Sequence, residues 1–302
     1  MFYRIFISIT LWLFVGSARA GENTADSTIA LSGRVPSTIT RSFVMRNYER
    51  IWKVVAPEAA LDRRAITIFY YSRLDQRKQS VRLPEWGGGG AVGRDLIVIP
   101  IDRSPLPDED LPQVTVHELT HIALERAYGR LHVPRWFHEG LAMTLSGQLS
   151  FDEQLSLSRA VFTRSLLPLD TIEMVNRFDV HEAELAYSES HLAVAWMIDR
   201  YGLDGIPELL RTLHSCGAFG AALKQEYGLT DDELDRLVRN YIVERYRGVF
   251  FFSDTYLIWF LGALLVILAF IAVKIRNDKR KRLMEEQERA QDETSGGETG
   301  TT

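Results

Sequence analysis

The alternation of apolar and polar positions divides the chain into segments of different kinds. From Arg41 to Val55 the apolar residues Phe43, Val44, Tyr48, Ile51, Trp52 and Val55 recur at helical spacing, and Pro57 ends the run. Ile66 to Tyr71 is β-branched and aromatic, which predicts a strand. Leu96-Ile97-Val98-Ile99 is a second short apolar run, stopped by Pro100. After Pro112 the pattern turns helical through Tyr128, and most of the chain from Pro134 to Arg247 also reads as helices. Strands early and helices late predict an α+β domain with a small N-terminal sheet and an all-helical C-terminal half.

Two apolar runs stand outside this domain. Ile5 to Val15 follows Arg4 and precedes Ala18-Arg19-Ala20, the layout of a secretory signal over residues 1–20. Residues 21–38 are rich in Ser, Thr and Gly and read as a linker. Thr255 to Val273 carries no charged residue. At about 1.5 Å per residue in a helix it matches a bilayer core. Lys274, Arg276, Lys279, Arg280, Lys281 and Arg282 follow it and place the tail, 274–302, in the cytoplasm. The tail ends in small polar residues and reads as disordered beyond its basic start. The expected layout is therefore an extracytoplasmic domain over 39–254 and a transmembrane helix over 255–273. The lipid bilayer is one partner. The expected location is a bacterial cytoplasmic (inner) membrane, with the domain periplasmic or extracellular.

Composition narrows the function. The 302 residues hold 35 Lys and Arg against 40 Asp and Glu, so no excess of positive charge is present for a nucleic-acid partner. The single cysteine, Cys216, excludes an intrachain disulfide and any thiolate-rich metal site. The tract Gly87–Gly93 reads as a mobile loop, since it lacks the Gly-Lys-Ser/Thr ending of a phosphate-binding loop.

The chemistry gathers between residues 117 and 139. His117-Glu118-Leu119-Thr120-His121 is an H-E-x-x-H pattern, and residues four apart share one face of a helix. Both imidazoles can then meet one metal ion, with Glu118 placed to reach a metal-bound water. A catalytic zinc takes three protein ligands and keeps one position open. Leu124 and Ala127 stand where the H-E-x-x-H-x-x-G-x-x-H arrangement needs Gly and His, so the third ligand lies elsewhere. Glu139, in Pro134-Arg135-Trp136-Phe137-His138-Glu139-Gly140, is the best-placed third ligand. His138 is its rival and His132 a more distant one.

His117-Glu118-Leu119-Thr120-His121 followed by Trp136-Phe137-His138-Glu139-Gly140-Leu141-Ala142 resembles the gluzincin zinc metallopeptidases of the peptidase MA-like group. Ala186–Ser190, Trp196–Gly202, Gly205–Leu210 and Tyr227–Thr230 continue the likeness over roughly 40–247. The resemblance implies a zincin-like domain holding one Zn2+ per chain through His117, His121 and Glu139, with Glu118 as the base. It implies a peptide or protein substrate. It makes Tyr187 and His191 candidates for stabilising the oxyanion. It also gives Leu96, Ile97, Val98 and Ile99, within Asp95–Ile101, a substrate-binding role as the upper edge of the cleft, with Gly87–Gly93 as a flexible rim. No G-x-M-E-N segment precedes the active-site helix, which favours an endopeptidase over an aminopeptidase. The competing reading is an inactive gluzincin-fold scaffold, which the complete set His117, Glu118, His121 and Glu139 argues against.

The orientation is testable. A reporter fused after Thr302 is expected to be active only as a cytoplasmic fusion. Periplasmic activity would reverse the topology.

Overall fold

The computed structural model describes residues 28–72, 89–101, 110–147, 151–247 and 254–296. The chain divides into two compact units between Arg247 and Gly248. In the first unit β1 (Ile29–Gly33) leads to α1 (Arg41–Val55), which starts where the Thr40 side chain accepts the Phe43 N–H at 3.1 Å. Its buried face, including Val44, Tyr48, Ile51 and Val55, is the stripe that the sequence periodicity predicts. β2 (Ile66–Tyr71) returns parallel to β1. β3 (Gly90–Val92) and β4 (Leu96–Pro100) are an antiparallel pair, turned at Gly93, whose φ of +64° suits glycine. The sheet order is β1-β2-β4-β3, with β4 parallel to β2.

Two expectations change here. The stretch 21–38 contains β1, whose Ile29 is buried opposite Ile66 of β2. Five residues shared among Ile, Ala, Leu, Ser and Gly show no period of their own, and the partner strand defines them as a strand. Leu96, Ile97, Val98 and Ile99 do not form a free cleft edge. β4 is hydrogen-bonded to β2 on one side and, over Leu96–Val98, to β3 on the other, so that stretch of its backbone is already paired on both sides. Its side chains at Ile97, Val98 and Ile99 are buried core. Among the described residues the edge on that side is β3. Part of the expected mobile rim is therefore strand. Gly87 and Gly88, like the expected signal over 1–20, lie outside the described residues.

α2 (Leu111–Tyr128) packs on α1, β3 and β4 and is buried around nearly its whole circumference. Tyr70 of β2 meets Thr115 of α2 at 2.9 Å. Arg126 lies wholly inside. Its Nε donates to Arg94 O at 2.8 Å. Nη1 reaches Tyr48 Oη at 3.2 Å and Arg64 O at 3.1 Å. Nη2 reaches Ala65 O at 2.9 Å and Asp95 Oδ1 at 2.7 Å.

The second half is helical, as the sequence predicts. It comprises α3 (Arg135–Ser146), α4 (Phe151–Thr163), a 3-10 helix (Leu169–Arg177), α5 (Val180–Tyr201), α6 (Gly205–Cys216), α7 (Phe219–Tyr227) and α8 (Asp231–Tyr246). The link into the 3-10 helix is tied from both sides. Glu189 of α5 accepts the Leu167 N–H at 2.9 Å, Asp235 of α8 accepts the Leu169 N–H at 2.9 Å, and Arg239 donates to Leu166 O at 3.0 Å.

The second unit contains α9 (Asp254–Gly296). It is the one helix among the described residues long and apolar enough to cross a membrane, over Trp259–Gln287. Helix continues through the charged part of the tail to Gly296. Residues 297–302, most of the small polar end, lie outside the described residues. Residues 274–293 are mostly Lys, Arg, Glu, Gln, Met, Leu and Ala, good helix formers without Pro or Gly, so an apolar helix already nucleated has no reason to stop.

Burial pushes the Glu189 carboxyl up to about 8, more than the Leu167 N–H and Arg239 pull it down. A raised native pKa disfavours the charged form, so stability is fullest below the ordinary carboxylate range and falls as pH rises through about 8. Glu189→Gln in the full chain is expected to flatten this fall, which has a limiting slope of about 1.4 kcal/mol per pH unit. Denaturant midpoints between pH 5 and pH 8.5 check it. Parallel curves for variant and wild type would contradict it.

Candidate metal centre

Three elements build the site. α2 presents His117 and His121 one turn apart, with ring centroids 4.9 Å apart and planes at 77°. α3 begins at Pro134 and is held at its start by Glu173 of the 3-10 helix, whose Oε1 accepts the Arg135 N–H at 2.6 Å. That acceptor satisfies one of the donors left open in a first helical turn. One turn further along α3, Glu139 is 1% exposed. Its Oε2 lies 3.2 Å from His117 Nε2 and 3.3 Å from His121 Nε2. Its Oε1 lies 2.7 Å from Arg135 Nη2.

The depth of Glu139 depends on a close helix pair. A Cβ placed on Gly140 would stand 2.1 Å from the Ser190 carbonyl oxygen of α5. Only glycine lets α3 approach α5 so nearly, and α5 is the helix that carries Tyr187.

Electrostatics keeps Glu139 ionised. Burial alone would raise its pKa. The Arg135 charge, His121, and hydrogen bonds with both imidazoles outweigh that and hold it well below the usual carboxylate range. Glu118 behaves in the opposite way. It is 6% exposed, and burial raises its proton affinity more than the neighbouring histidines lower it. Two carboxylates beside the same imidazoles thus differ, one held as an anion and one disposed to accept a proton.

Two nitrogens and one oxygen, all within 4.8 Å of one another, form a group that can hold a metal ion, and the donor set of two imidazoles and a carboxylate suits zinc. The rivals stand apart. The His138 ring stacks beside His121 at 5.8 Å, and burial lowers its pKa to about 3, so it is neutral, but it is not part of the converging set. His132 is 75% exposed and faces Glu173 at 3.8 Å.

Tyr187 is brought to the centre. Its ring lies 6.4 Å from that of His117, and its hydroxyl is hydrogen-bonded to Arg135. Burial, followed by the negative charge of Glu139, raises its pKa well above the ordinary phenol value, so it stays protonated at neutral pH and can donate a hydrogen bond. His191, one turn along α5, is half-buried, and burial lowers its pKa. Among the described contacts it does not join the cluster. Leu96–Ile99 lie in the sheet behind β3.

Three residues of the site go beyond the sequence reading. A Cβ on Gly89 would stand 3.0 Å from Glu118 Oε1, so the backbone entering β3 lies directly over Glu118. Four glycines ahead of an apolar strand carry that signal, as a place where bulk is excluded. The i,i+4 spacing of Arg135 and Glu139 carries the second. Glu173 has none, because its contact with α3 spans 38 residues.

The family model described as Peptidase MA superfamily matches residues 48–244. This span runs from α1 into α8 and includes every residue of the centre. No curated protein and no solved structure matches the chain.

Gly140→Ala is expected to destabilise the full chain by about 1–3 kcal/mol, as overpacking does, and to lower metal affinity through Glu139. Thermal melts and chelator competition check it. An unchanged melting temperature would mean that α3 and α5 have room to part.

Proposed function

The chain belongs to the Peptidase MA superfamily, and from that premise we propose that it is a membrane-anchored zinc peptidase cleaving peptide bonds outside the cytoplasm. The observation that carries this reading is the convergence of His117 Nε2, His121 Nε2 and Glu139 Oε2 beside a buried Glu118 of raised proton affinity.

His117, His121 and Glu139 would hold one zinc ion, which would supply a Lewis acid and lower the pKa of a water. Glu118 is the base that would take up the proton released as water adds to the peptide carbonyl and give it to the leaving amine as the C–N bond breaks. Its burial makes it a better acceptor than an exposed carboxylate and keeps bulk solvent from competing. Tyr187 offers a phenolic proton to the developing oxyanion, with His191 the second candidate. The peptide lies against β3 rather than β4. There an added strand gains backbone hydrogen bonds and passes near Glu118, because even a Cβ at Gly89 would stand 3.0 Å from that carboxylate. An endopeptidase accords with the lack of a G-x-M-E-N segment. α9 anchors the chain, with its basic flank in the cytoplasm.

Glu118→Gln in the full chain is expected to keep about one zinc per chain while lowering cleavage of a peptide library by at least about 10²- to 10⁴-fold. Unchanged cleavage would overturn the mechanism. Glu139→Ala is expected to lower zinc affinity while His138→Ala leaves it intact. The reverse would move the third ligand to His138.

A further inference from the structure

Glu139 has two carboxylate oxygens, and the structure treats them differently. Oε2 lies between the two imidazoles, 3.2 and 3.3 Å from their Nε2 atoms. Oε1 is drawn away to Arg135 Nη2 at 2.7 Å. A carboxylate can bind a metal through one oxygen or both. With both, it would fill a position that a catalytic centre must keep open.

Arg135 is well placed to make that choice. It sits four residues before Glu139 on the same face of α3. Its own N–H is held by Glu173, and its guanidinium meets the Tyr187 hydroxyl. The 3-10 helix thus holds the Arg135 backbone, while the guanidinium itself lies between Glu139 of α3 and Tyr187 of α5. The contact with Oε1 is a close ion pair rather than an aligned hydrogen bond, and a planar guanidinium also held by Tyr187 keeps its charge at one place beside that oxygen, which a rotatable ammonium does less well.

We propose that Arg135 is a positioning residue that withholds Oε1 of Glu139, so that Glu139 ligates through Oε2 alone and one metal position stays open. The proposal rests on the metal centre described above. Arg135 also neutralises a buried carboxylate, and neutralisation alone would be served by any cation. Positioning is distinguished by what happens to the coordination when the guanidinium is lost.

The test uses the full chain in detergent, loaded with Co2+ in place of zinc, and reads both the visible spectrum and the affinity by chelator competition. Wild-type protein is expected to show the intense visible bands of a four-coordinate ion. Arg135→Gln is expected to give the weaker bands of a five-coordinate ion as Oε1 swings in, with affinity reduced about 10- to 100-fold, as when an outer partner of a ligand is removed. Arg135→Lys keeps the charge and the bulk, and so remains informative should the glutamine variant fail to fold. It is expected to recover affinity in part and not the wild-type spectrum. A wild-type spectrum in Arg135→Gln, or full recovery of both readouts in Arg135→Lys, overturns the proposal. Failure of wild-type protein to take up Co2+ would instead contradict the metal centre itself.

Discussion

The Arg126 side chain is fully buried, and each of its guanidinium N–H groups has an acceptor inside the protein. A guanidinium in such a place is costly unless it is fully paired. Here the acceptors are the carbonyls of Arg64 and Ala65 before β2, the Arg94 carbonyl and Asp95 carboxylate before β4, and the Tyr48 hydroxyl of α1. One side chain therefore fixes α2 against two strands and a helix. His117 and His121 sit nine and five residues upstream on the same rigid rod, about two and a half and one and a half turns, so their height above the sheet is set by this clamp. The position of β3 over Glu118 follows, because β3 is registered to β4 and β4 begins at the residues that Arg126 holds.

The other half of the centre arrives on α3, which is located by different means. Gly140 lets α3 come against α5 at backbone contact, and Glu173 closes its first turn. The buried Glu139 carboxylate is then shared between Arg135 on its own helix and two imidazoles on α2. This sharing across elements explains how a carboxylate 1% exposed stays ionised. It also leaves the two acids of the centre with opposite tendencies, which a hydrolytic site needs.

Much of this was legible in the residues. The stripe on α1, the strand at Ile66–Tyr71, the buried α2 and the pairing of H-E-x-x-H with Glu139 all follow from local period and motif spacing. What was not legible is non-local. The Leu96–Ile99 run reads as a strand, but nothing in it says whether it lies inside or at the edge of a sheet. β1 has no pattern until β2 supplies a partner. The Arg135–Glu139 spacing is visible, but the same spacing is common on solvated helix faces, and only burial shows that it matters.

The central claim is that α2 and α3 converge to bind one metal through two imidazoles and one carboxylate oxygen. X-ray absorption at the zinc edge of the zinc-loaded full chain tests it most directly. The account predicts multiple scattering from two imidazoles, with nitrogens at about 2.0–2.1 Å and carboxylate oxygen at about 2.0–2.2 Å. A third imidazole, or fewer than two, would contradict it.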